Sequence, residues 1–188
     1  MAMPATPVDW TVEMVDALAD DGQRYEVIDG ELFVTPAPAE GHQLVALELA
    51  MRLDVYLRAH GVGRTMISPA DVRRGDRTRN RVQPDVFVVR MTDGKRPAYP
   101  YDLGDLLLAV EVSSPSNPLL DYQVKRDLYL REGVGEYWIM NPDARNAARW
   151  SERGDRGDVL SEAIEWHPEG MPEPFRLNLR DFFADAID

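Results

Sequence analysis

The chain has 188 residues and a mass of 21.3 kDa, 44% hydrophobic and 29% charged, which suits one globular domain spanning residues 1–188 with a single sizeable core. No apolar stretch approaches the roughly 20 residues of a membrane-spanning helix, no secretory leader is visible in "MAMPATPVDW", and cysteine is absent, which excludes disulfide and thiolate chemistry; a cytoplasmic location is expected. The net charge of -12 argues against nucleic-acid binding by the whole surface, yet Arg64 to Arg81 holds six arginines against Asp71 and Asp76, while residues 1–63 hold three basic and eleven acidic groups.

In chain order, residues 9–20 predict a short amphipathic helix, and "RYEVIDGELFVTP" a hairpin turning at Asp29-Gly30. Leu and Ala at helical spacing predict a helix over 42–59, stopped by Gly61. "VGRTMISPADVRR" reads as one or two strands broken at Pro69, "GDRTRN" as a turn, and "PDVFVVR" as a strand. A Gly/Pro-rich loop then leads to an apolar strand over 105–113. Asn117 is the candidate cap and Pro118 the candidate first residue of a helix over 118–132, closed by Gly133. "EYWIMN", "ARWSER", "DVLSEAI" and "FRLNL" predict further strands, and "RDFFADAI" a terminal helix. The order implies an α/β fold with a mixed sheet, in which the unit from 105 to 141 is a parallel crossover.

Glu111 breaks the pattern of its strand. A carboxylate in an apolar run is paired, protonated or metal-bound. Strand alternation places Leu107, Ala109, Glu111 and Ser113 on one face, with Leu106, Leu108, Val110 and Val112 on the other. Asp85 opens another apolar run 26 residues earlier, a separation that suits adjacent strands. Two carboxylates at neighbouring strand ends repel, and a hydrated divalent cation is one means of holding them. Lys125, one of only two lysines, falls at the margin of its helix's apolar face, where its ammonium reaches toward the acids. Each residue has a structural alternative. Asp85 suits a strand-entry acid bonded to backbone N–H groups, Glu111 an ion pair with Arg126, and Lys125 a surface pair with Asp121.

"PD" before a strand, "EVS" in the next, "K…Y" in a helix and "EYWIMNP" beyond it, together with "YEVIDGEL…TPAP…H" from Tyr25 to His42, resemble the restriction endonuclease family called Uma-two, of the PD-(D/E)XK nuclease superfamily. The resemblance covers roughly residues 20–145. It implies a restriction-endonuclease-like core, a mixed sheet flanked by helices, here with an N-terminal hairpin and extra C-terminal strands. It also implies Mg2+ (Mn2+ as substitute), phosphodiester hydrolysis of DNA, and a homodimer. Asp85 and Glu111 match the metal-binding acids, with the Val112 carbonyl as a further ligand. The superfamily's usual lysine position holds Ser113, and Lys125 matches its relocated counterpart. His42 matches the family's histidine, near metal-bound water or the phosphate; a capping or packing role is its alternative. Of Glu26 and Glu31, on opposite faces of the hairpin, one is a candidate to face the site. Glu48 is expected to pair with Arg52, and Tyr137 and Trp138 to fill the core or a dimer contact.

The expected activity is therefore that of a metal-dependent endonuclease whose Arg73, Arg74, Arg77, Arg79 and Arg81 loop grips DNA phosphates. The alternatives are a degenerate nuclease fold that binds DNA or protein without cutting, suggested by Ser113 and the -12 charge, and a purely structural interaction module.

Overall fold

The computed structural model describes residues 8–74, 77–114, 119–151 and 157–188, and of Arg77 only the backbone. Short α1 (Val12–Asp16) is capped by Thr11, whose side chain accepts from the Met14 N–H. It is shorter than the expected helix at both ends, and Trp10 ahead of it donates its N–H to the Gly30 carbonyl. β1 (Arg24–Ile28) and β2 (Glu31–Thr35) form the expected hairpin. Asp29 and Gly30 at its tip have φ of 52° and 85°, the left-handed geometry that an Asp-Gly pair supplies cheaply. The long helix α2 runs Glu40–Arg58.

"VGRTMISPADVRR" yields β3 (Gly63–Ile67) and β4 (Val72–Arg74), which enter different sheets. Of the expected turn "GDRTRN", residues 75 and 76 lie outside the described residues, and the remainder is corrected. From Arg77 the chain is β5 (Arg77–Val82), paired antiparallel with β4, so the arginines lie on a hairpin rather than in a loop. No apolar alternation marks this strand; carboxylates facing its arginines satisfy it instead. β6 (Val86–Arg90) starts after Asp85, and the loop that follows includes the two-residue strand β7 (Tyr101–Asp102). β8 (Leu106–Val112) is buried throughout.

A π-helical stretch, Leu120–Lys125, runs directly into α3 (Arg126–Arg131). The expected cap and start at Asn117 and Pro118 lie outside the described residues. β9 (Glu136–Asn141) and β10 (Asn146–Ser151) follow. "DVLSEAI" divides into β11 (Asp158–Leu160) and β12 (Ala163–Trp166). β13 (Phe175–Asn178) and α4 (Leu179–Ile187) close the chain.

The strands form a six-stranded sheet in the order β11-β10-β9-β8-β6-β3, a five-stranded sheet in the order β2-β1-β5-β4-β7, and the pair β12-β13. β8 and β9 pair in parallel across the π-helix and α3, while β6 and β8 pair antiparallel with Val86 opposite Val110. Two apolar clusters sandwich the six-stranded sheet. One joins it to α2 and α4, and the other to the five-stranded sheet and α3. The expected alternation along β8 holds from Leu108 onward but inverts at its start: Leu106 and Ala109 share one cluster, Leu107 and Leu108 the other. A register shift against Val88/Val89 accounts for the inversion, since a bulge flips side chains to the opposite face.

Candidate active site

The antiparallel register that sets Val86 opposite Val110 brings Asp85 beside the end of β8, where Glu111 lies. Both line a cavity of about 220 Å3. Its other walls come from Arg24 on β1, the Thr35–Ala39 segment, His42 on the first turn of α2, and Leu120, Asp121 and Lys125 on the π-helix.

Asp85 is held at three points. Oδ1 accepts from the Arg24 guanidinium at 2.9 Å. Oδ2 accepts from the Val112 N–H at 2.8 Å and lies 3.0 Å from His42 Nε2. Burial opposes ionisation, but the His42 contact and the Arg24 charge outweigh it and hold the carboxyl well below its usual range. The strand-entry alternative is thus half true, since one of the partners is a backbone N–H.

Glu111 Oε1 accepts from Lys125 Nζ at 3.1 Å and from the Tyr129 hydroxyl at 3.0 Å. Lys125 Nζ also meets Glu26 Oε2 at 2.9 Å, and Glu26 Oε1 accepts the Gln83 N–H at 2.7 Å. The α-helical wheel set Lys125 at the margin of its face. The wider π turn carries it inside, to 2% exposure. The alternatives of Glu111 with Arg126 and of a surface Lys125–Asp121 pair are not realised: Arg126 bonds Asp127 instead, and Lys125 is buried with Glu26 and Glu111.

The acids exceed the fixed cations. Glu26, Asp85, Glu111 and Asp121 face Arg24 and Lys125, so the carboxyl groups outnumber the fixed cations by two. Burial first, and then the neighbouring Asp85, Asp121 and Glu26, push Glu111 well above its usual range despite Lys125. Burial, with Asp85 and Glu26, raises Asp121 to about 6 despite Lys125. Lys125 is pushed up as well: burial disfavours its charge, but Glu111, Glu26 and Asp121 overcome that. A divalent cation fits this site in sign and magnitude, and carboxylate oxygens suit a hard ion. Among the described residues no three His, Asp or Glu groups are already set in ligand geometry: Asp85, Glu111 and Glu26 are turned toward protein cations and N–H groups.

Other candidates fall elsewhere. Glu26 is fully buried and Glu31 exposed, so only the first faces the site. Glu48 pairs with Arg52 at 2.7 Å, as expected. Tyr137 and Trp138 are buried within the chain's own core. Ser113 lies just past β8, its N–H bonded to the Met140 carbonyl. Arg73 and Arg81 pair with Asp16 and Asp71, Arg74 with Asp102 and Glu132, and Arg79 with Asp9. The Arg77 side chain lies outside the described atoms.

Sequence reasoning missed Arg24, Tyr129 and the site role of Asp121. One signal was available: Arg24 and Glu26 share a strand face with buried Ile28.

The Uma2 family model, described as "Putative restriction endonuclease", matches residues 11–179. The crystal structure of a "putative nuclease belonging to DUF820" from Anabaena variabilis has the same fold, with a TM-score of 0.76 and 18% sequence identity over 93% of this chain and 98% of that one. No curated relative matches. A match over nearly the whole chain, on a restriction-endonuclease-like core whose buried acids meet at one cavity, means that the chain belongs to the Uma2 family.

Proposed function

We propose that the protein is a divalent-metal-dependent DNA endonuclease, with Mg2+ as the ion and Mn2+ as its substitute. The observation that carries this reading is the buried excess of carboxylates around one solvent-sized cavity. Asp85, Glu111 and the Val112 carbonyl would hold the ion, with Asp121 as an additional acid at the wall. When bound, such an ion supplies Lewis acidity toward phosphoryl oxygens and lowers the pKa of water.

The chain's own groups supply the rest. The Arg24 guanidinium lines both the cavity and an adjoining groove of about 630 Å3, so it can take a phosphate's oxygens as a planar fork. Lys125 stays charged and offsets the negative charge that builds on the phosphoryl oxygens during attack. His42 Nε2 lies 3.0 Å from Asp85 Oδ2, and Nδ1 is buried with no hydrogen-bond partner among the described residues, so the imidazole acts by positioning Asp85. Phosphates approaching the β4–β5 hairpin must compete with Asp9, Asp16, Asp71 and Asp102 for its arginines, which makes affinity salt-sensitive.

The test is plasmid nicking with Mg2+, with Mn2+ and with chelator, beside Glu111→Ala and Lys125→Ala. Cleavage is expected only with metal and falls at least about 100-fold in both variants. Cleavage that persists in Glu111→Ala overturns the assignment. The second reading, a binding module without cleavage, is favoured by the ion pairs that already occupy Asp85 and Glu111. It predicts DNA affinity unchanged in Asp85→Asn and no nicking with any metal.

A further inference from the structure

The solvent face of α2 carries Glu40, Leu44, Leu47, Met51, Val55 and Arg58. Their spacings of three and four make one continuous stripe along the helix. The opposite face, with Val45, Leu49, Leu53 and Leu57, is buried in the core. Leu44, Leu47, Met51 and Val55 remain 41%, 49%, 49% and 76% exposed, a row of large apolar side chains where a surface helix ordinarily carries polar ones. The stripe opens on an acid and closes on a base.

We propose that α2 packs antiparallel against α2 of a second copy of this chain, about a two-fold axis near Leu49. That register sets Leu44 against the partner's Val55 and Leu47 against the partner's Met51, each contact occurring twice, as an isologous interface requires. It also sets Glu40 against the partner's Arg58 at both ends. A parallel pairing would instead place Glu40 beside Glu40 and Arg58 beside Arg58, so the charge order of the stripe selects the antiparallel one. Arg58 already pairs with Asp54 on its own helix and is 62% exposed, so its guanidinium has donors left for a second carboxylate. Leu47 also lines the groove beside His42, and the partner's helix therefore borders that groove. The inference stands whether or not the cavity cuts DNA.

The absence of cysteine makes the register testable on the full chain. Leu44 and Val55 are eleven residues apart on one helix, about 16 Å of rise, too far for a disulfide within the chain. Sedimentation of the wild type is expected to give twice the 21.3 kDa chain mass; a monomer at all concentrations overturns the proposal. The double variant Leu44→Cys/Val55→Cys is expected to oxidise to a covalent dimer, with neither single variant doing so. A dimer in which the single variants cross-link as readily as the double one overturns the register. Leu47→Glu/Met51→Glu is expected to lose the dimer with an unchanged circular dichroism spectrum. Glu40→Arg is expected to weaken association at least 10-fold, and adding Arg58→Glu to restore it; failure of that restoration contradicts the end-to-end charge pairing.

Discussion

The cavity and the β4–β5 hairpin are both rich in charge, but they hold it in opposite ways. On the hairpin, guanidiniums and carboxylates alternate: Asp71 lies between Arg73 and Arg81, and Asp102 and Glu132 flank Arg74. Most of these groups keep some contact with water, and pairs of that kind contribute little to stability. In the cavity the charges are buried and do not balance. Four acids share two fixed cations, and burial, added to by the surplus, raises the proton affinity of Glu111 and Asp121. A balanced surface array needs nothing further. A buried imbalance is costly to keep unless bound protons or something of opposite charge completes it. The contrast therefore points to the cavity as the functional site.

Breaking the cavity's internal pairing has the largest expected effect. Lys125→Met leaves Glu26 and Glu111 buried without their shared cation, and urea unfolding at about pH 8 is expected to show a loss of about 3–5 kcal/mol. The loss narrows at lower pH as Glu111 takes up a proton. A loss below about 1 kcal/mol would mean that the ammonium does not organise the cluster.

Asp121→Asn sharpens the comparison from the other side. A carboxyl whose folded value exceeds its unfolded one binds its proton more tightly when folded, so its effect on stability turns unfavourable as pH rises from about 4 to about 6 and is constant beyond. The variant is expected to match wild type near pH 4 and to exceed it by about 2–3 kcal/mol above pH 7, read from urea midpoints without divalent ions. Equal stability across that range would mean that no charge surplus exists.

The hairpin supplies the smallest effect. Arg79, 55% exposed and paired with exposed Asp9, is expected to change stability by less than about 0.5 kcal/mol on Arg79→Ala in a thermal melt.

The same contrast explains what could be read from the sequence. Asp85 and Glu111 stood out because each violates an apolar strand, and a violation of local pattern is visible in one dimension. The Asp29-Gly30 turn and the β8–β9 crossover followed from local chemistry and run length. β5 did not, because "RTRNRV" lacks apolar alternation and is held by β4 and by partners distant in sequence: β1, Asp9 and Asp16. Arg24 was hidden in a strand that also suits a solvated hairpin edge, and the same ambiguity left Glu26 undistinguished from Glu31. Asp121 was hidden by its spacing from Lys125, which suggests a surface i,i+4 pair; the π turn that buries both has no sequence signature of its own.

The central claim is that the buried acids at Asp85, Glu111 and Asp121 are completed by a divalent cation. Calorimetric titration of the purified chain with Mn2+ near pH 6, in two buffers of different ionisation enthalpy, tests it most directly. Saturable binding with proton release is expected in the wild type, with binding lost in Glu111→Gln and Asp85→Asn. No binding to the wild type, or equal binding to both variants, would contradict the account.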